Sequence, residues 1–143
     1  MNVKINYVSV ALAALVMWVI GAVWYGLFAS QWMALTGVTV EMARGMSGKD
    51  MALTYGGSFV AYFILFYVQS HVHHAFQVKT LKEAEQAAFW NWLGFVLMVF
   101  YVTNSYQMKS FALTLLDSGY WLIGMALGGV VLVKMQKKET ATK

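Results

Sequence analysis

One carboxylate stands inside an apolar run of this sequence. Asp117 lies about two turns into the stretch from Ser110 to Val133, which holds no other Asp, Glu, Lys or Arg. Burying an ionisable group at the centre of a bilayer costs on the order of 2.5–3.5 kcal/mol, so Asp117 is a candidate proton or cation site. The plainer role is that of an interfacial carboxylate hydrogen-bonded to neighbouring helix ends. Asn91 and Asn104 are amides that another helix or water can satisfy. In a helix Asn104 stacks with Tyr101, Leu97 and Gly94, and it should share the depth of Asp117, so a joint hydrogen-bond network is expected there.

The cluster His71-x-His73-His74 invites a metal, since imidazole suits Zn and Cu. In a helix, however, these rings spread around most of the circumference, and none has an acidic or imidazole partner at the i+4 spacing of a H-E-x-x-H site. They are expected at the headgroup level, beside anionic lipid. With no cysteine there is no thiolate site and no thiol nucleophile. Serines fall at loop edges with no histidine on their side, and Gly45, Gly48, Gly56 and Gly57 fit no phosphate loop, so neither an ordinary hydrolase nor a nucleotide enzyme is expected. No cofactor is implied.

The elements that must hold these residues are dictated by composition. A chain of 143 residues that is 60% hydrophobic and 11% charged, with mean hydropathy +0.60, requires lipid as its solvent. The formal charge of +4 comes from scattered basic residues that form no face for nucleic acid. A hydrocarbon core of about 30 Å takes roughly 20 helical residues. Spans are therefore expected over residues 7–28, 51–70, 84–104 and 110–133 of a single domain. Ser47-x-x-Asp50 and Thr80-x-x-Glu83 have the form of helix N-terminal caps before the second and third. The first apolar run exceeds a signal-peptide core and is read as a retained helix. With no proline, four nearly continuous rods are expected.

The fold class that follows is all-α, a polytopic membrane protein with its spans in an antiparallel bundle. Lys4, Lys79, Lys82, Lys134, Lys137, Lys138 and Lys143 then share one face against Arg44, Lys49 and Lys109, seven against three, which predicts cytoplasmic termini in the cell (inner) membrane. Most of the tryptophans fall near span ends, as an aromatic belt would. Helices in lipid associate through small residues, and those in spans one, two and four mark contact faces: Gly21, Ala22 and Gly26; Gly57 and Ala61; Gly124 and Gly128. Such faces serve packing within one chain or association of copies into a homo-oligomer or larger membrane complex.

Gly21-Ala22-Val23-Trp24-Tyr25-Gly26, Trp32-Met33, Trp92-Leu93-Gly94-Phe95, Asn104 and Asp117-Ser118-Gly119-Tyr120, followed by Gly124 and Gly128, run nearly the length of the chain. Together they resemble the bacterial membrane family catalogued as domain of unknown function 1761. Members commonly have a proline after the Trp-Tyr-Gly step, where this chain has Leu27. The resemblance implies four spans and draws attention to Trp24, Tyr25, Trp32, Gly94, Asn104, Asp117 and Tyr120, but it implies no reaction.

Three function classes are consistent with these residues. A packing or accessory protein, self-associating or bound in a larger complex, needs only the contact faces and aromatic anchors, and is the leading expectation. A small-solute or proton-coupled transporter or channel needs a polar path, for which Asp117 is the main residue. A membrane enzyme would need a cytoplasmic-face pocket near the histidines.

Overall fold

The computed structural model describes residues 5–141, with side chains through residue 135, and Lys4, Lys143 and the side chains of Lys137 and Lys138 lie outside that description. Every regular element among the described residues is helical. Helix α1 spans Tyr7–Leu27. Two short helices follow, α2 over Ala29–Thr36 and α3 over Val40–Arg44. Helix α4 covers Gly48–Ala75, α5 covers Leu81–Tyr106, and α6 covers Phe111–Ala141. Four of these, α1, α4, α5 and α6, are long and apolar enough to cross a membrane.

Local chemistry sets most of the helix ends. The Asn6 side chain accepts the Ser9 backbone N–H at 3.0 Å and starts α1. Both expected capping boxes are present: Ser47 and Asp50 exchange bonds at the head of α4, as do Thr80 and Glu83 at the head of α5. Gly37, with φ +80°, closes α2 in the left-handed region that a side chain would strain. After α4 and α5 the same left-handed position is filled by Gln77 and Met108, both at φ 55°. The Val78 and Lys109 N–H groups return to His73 and Asn104 carbonyls at 2.8 Å, so each tight turn is held by Schellman-type bonds without glycine. Between α1 and α2 the chain bends at Phe28, whose N–H still reaches the Trp24 carbonyl at 2.9 Å. No proline is needed at that step.

The helices are not uniform rods. Ala52–Gly56 in α4 and Trp92–Leu97 in α5 are π-helical. The second of these re-aims a face. Inward positions on α5 are Ala84, Ala88, Trp92, Val96, Phe100 and Asn104, a strict spacing of four. In a regular α-helix that stripe would drift by about 40° per step, and the wider π turn takes the drift back. The stripe expected from simple α periodicity fails for this reason, because Gly94 and Tyr101 are exposed while Asn104 is buried.

Helix α1 packs against α4 on one side and α6 on the other, and α6 packs against α5. Paired positions run in opposite numerical sense between α1 and its neighbours: Tyr7 stacks on Tyr67 while Trp18 reaches Tyr55, and Met17 meets Tyr120 while Trp24 meets Leu116. The core is Val10, Ala13, Ala14 and Met17 of α1, Phe66 of α4, and Tyr120 and Leu132 of α6. Helices α4 and α5 meet only close to the turn that joins them. Beyond it their seam opens into a cleft of about 600 Å³, apolar apart from Gln69, Asn91 and Thr103.

The glycine faces divide. A Cβ added at Gly124 would lie 2.8 Å from Met17 Cγ, one at Gly128 would lie 2.1 Å from Phe66 Cε1, and one at Gly21 would lie 3.1 Å from the Tyr120 hydroxyl. These three bring helices of the same chain together. Gly26 and Gly57 have open space where a Cβ would stand, and Ala22 and Ala61 are exposed. Ala22, Gly26, Gly57 and Ala61 therefore make no close contact with another helix of the same chain, which leaves packing within one chain to the Gly21, Gly124 and Gly128 positions.

Candidate functional site

Asp117 enters the space between α1, α2, α4 and α6. Tyr25 in the last turns of α1 donates its hydroxyl to Asp117 Oδ1 at 2.9 Å. The Trp32 ring, from α2, lines the same space beside the carboxylate. The Tyr25 donor is neutral, and among the described residues no basic side chain pairs with Asp117. The bend at Phe28 is what makes this possible, since it folds α2 back so that Trp32 and Tyr25 meet edge to face at 5.9 Å. Helix periodicity alone places these side chains seven residues apart with no reason to converge on α6.

Beside the carboxylate lies a cavity of about 910 Å³. Its walls are mainly aromatic: Trp18, Tyr25, Trp32, Tyr55, Tyr62 and Phe100. Gly21 and Ala22 form a low stretch of wall on α1, and Thr54 and Ser58 contribute hydroxyls from α4. The Ser58 hydroxyl is already committed to the Thr54 carbonyl. Small residues that read as a helix contact thus make room for a void. Behind them Tyr120, 1% exposed, packs its ring 5.5 Å from that of Tyr25 and donates its hydroxyl to the Met17 carbonyl at 3.1 Å.

Three tryptophans that an aromatic belt would place at the lipid interface instead tie helices together. Trp24 Nε1–H donates to the Leu116 carbonyl at 3.2 Å, Trp92 to Ser118 at 2.7 Å, and Trp18 to Tyr55 at 3.1 Å. A buried indole N–H seeks an acceptor, and the carbonyls flanking Asp117 provide two. A Cβ on Gly119 would lie 3.4 Å from the Trp24 ring, so the indole lies close across the α6 backbone.

Asn104 does not share a hydrogen-bond network with Asp117, nor do Tyr101 and Asn91 join one. Asn104 donates to Thr114 Oγ1 at 3.0 Å, Asn91 donates to the Ala87 carbonyl of its own helix at 2.8 Å, and Tyr101 is an exposed ring edge-on to Phe111. Asn104 and Thr114 do pin α5 to α6, but separately from the carboxylate. Gly94 is exposed, with nothing near the place of a Cβ.

The histidines diverge as their helical spacing requires. His71 Nδ1 contacts the Tyr67 carbonyl at 2.9 Å, and His74 is exposed. His73, expected at the headgroup level, is instead 1% exposed, and neither ring nitrogen has a hydrogen-bond partner. It is buried near Gly129 and Gln69, whose Oε1 is also unpartnered. No three His, Cys, Asp or Glu among the described residues converge to hold a metal ion. Sequence patterns did not reveal Tyr62 and Trp18 as lining the cavity, nor Gln69 as lining the cleft between α4 and α5, where a glutamine in a span was the one available signal.

Fold and site together define an all-helical protein with four helices able to span a membrane and a carboxylate in an aromatic cavity between them. The chain belongs to the family described as Protein of unknown function (DUF1761), whose sequence profile matches residues 8–133. No curated protein matches the chain, and no solved structure matches it. Of the residues that the resemblance singles out, Tyr25, Trp32 and Asp117 line the cavity, Tyr120 packs against Tyr25 behind it, and Trp24 bonds the carbonyl next to Asp117.

Proposed function

We propose that this chain is a multi-pass protein of the cell (inner) membrane that carries a small solute, with Asp117 exchanging a proton at the solute site. The carrying observation is the Asp117 carboxylate at an aromatic cavity, bonded to the neutral Tyr25 hydroxyl. A membrane carboxylate without a cationic partner is costly and marks a pathway more often than a scaffold. In this reading the four spans form an antiparallel bundle. The excess of seven basic residues over three sets both termini in the cytoplasm. The cavity, at the end of the bundle that carries α2, then opens on the opposite side. An enzyme at the histidines is disfavoured because their side chains do not converge.

Infrared difference spectra of the reconstituted protein between acidic and alkaline buffer test this reading. The wild type is expected to show a carboxyl C=O band that shifts in D₂O and is missing from Asp117→Asn, with circular dichroism unchanged. Spectra identical in the two proteins would mean that Asp117 does not titrate, and the carrier reading would fall.

A second reading rests on the open small residues. Gly57 and Ala61 lie on an uncovered face of α4, whereas Gly124 and Gly128 are consumed inside the chain. We therefore assign any homo-oligomer or docking within a larger membrane complex to the Gly57 and Ala61 face. Light scattering corrected for bound detergent is expected to show a lower mass for the Gly57→Ile, Ala61→Ile variant than for wild type. A wild-type monomer would remove the self-association.

A further inference from the structure

We infer that the solute taken by the Asp117 cavity is a lipophilic organic cation of the quaternary ammonium or phosphonium kind, an inference that rests on the carrier reading above. The cavity offers one carboxylate, and neither its Tyr25 donor nor the neighbouring Trp32 ring brings positive charge. When ionised, the site therefore keeps a full negative charge. An anionic solute would be repelled, and no basic residue lines the cavity to offset this.

The walls decide among cations. Aromatic rings present a negative π face, and a cation that cannot donate hydrogen bonds gains most from them. A hydrated metal ion needs several oxygen ligands to replace its water. This cavity supplies one carboxylate and five hydroxyls, three of them neutral phenols on rigid rings, with Tyr25 already bonded to the carboxylate and Ser58 to a backbone carbonyl. A bulky cation with an apolar skirt meets both demands: its charge faces Asp117 and its skirt lies against Trp18, Tyr55 and Tyr62. A volume of about 910 Å³ admits such a body, and the absence of side chains beyond Cβ at Gly21 and Ala22 keeps it open.

The full chain in detergent micelles tests this with methyltriphenylphosphonium as the probe, read by equilibrium dialysis and tryptophan quenching. Triphenylphosphine oxide, of similar shape but neutral, separates charge recognition from simple partitioning. Saturable phosphonium binding is expected, with no competition from the oxide or from sodium and potassium chloride. Asp117→Asn should weaken binding ~10-fold or more. Tyr62→Leu should weaken it ~3- to 10-fold while Tyr62→Phe, which keeps the ring, stays within ~2-fold. Equal binding of the oxide, an unchanged Asp117→Asn, or the absence of saturable binding would each overturn the inference. A titrating Asp117 band without phosphonium binding sinks the cation inference and leaves the carrier reading standing; charge-selective binding without that band does the reverse.

Discussion

Gly128→Ala is expected to destabilise the detergent-solubilised protein by about 3 kcal/mol or more, at or beyond the upper end of ordinary overpacking costs. A Cβ there would stand 2.1 Å from both Cε1 and Cζ of Phe66. The phenyl ring is fully buried and cannot swing into lipid, so α4 and α6 must separate. Gly124→Ala gives the contrasting case. Its Cβ meets Met17 at 2.8 Å, and although Met17 is also buried, an unbranched thioether can change rotamer where a ring cannot. Its cost is expected to be about 1 kcal/mol. Thermal melts of the two variants test the ranking, and Phe66→Leu added to Gly128→Ala should recover part of the loss. If Gly128→Ala instead melted with wild type, the close approach of α4 to α6 would be wrong.

Tyr120→Ala is expected to cost about 3–5 kcal/mol, the range for removing a large buried aromatic. Tyr120 packs against Tyr25, Tyr62 and Trp121, with ring centroids 5.5, 6.3 and 6.1 Å away. Truncation to Ala loses these ring contacts outright. Tyr120→Phe removes only the hydroxyl bond to Met17, at about 1 kcal/mol. The hydroxyl also crowds Gly21, so Gly21→Ala should be better tolerated in Tyr120→Phe than in wild type. A double-mutant cycle on melting stability measures that coupling, and additive losses would place Gly21 and Tyr120 apart.

These two cases show how far residues can be read without coordinates. The small residues of α6 and of α4 have the same form in sequence, Gly-x-x-x-Gly and Gly-x-x-x-Ala. Only packing distinguishes the set that receives Met17 and Phe66 from the set that stays open. His73 is similar. Its neighbours His71 and His74 are half-buried and exposed, but the rotation of α4 about its axis buries His73 beside Gly129. The stripe on α5 was misread because a π turn leaves no mark in composition.

The amino-acid sequence by itself determined the four apolar helices, their capped starts at Ser47 and Thr80, the absence of thiolate chemistry, and Asp117 as the lone acid in its span. Those features depend on chain length, solvent and contacts within four residues. Tertiary structure decided which faces turn inward, that Tyr25 and Trp32 meet a carboxylate 92 residues beyond Tyr25, and that a cavity opens beside it. The reason is physical: in a helix that is apolar all round, every face suits lipid, so periodicity carries no signal for the inner one. Shape complementarity between distant small and aromatic residues makes that choice, and it exists only once the helices have met.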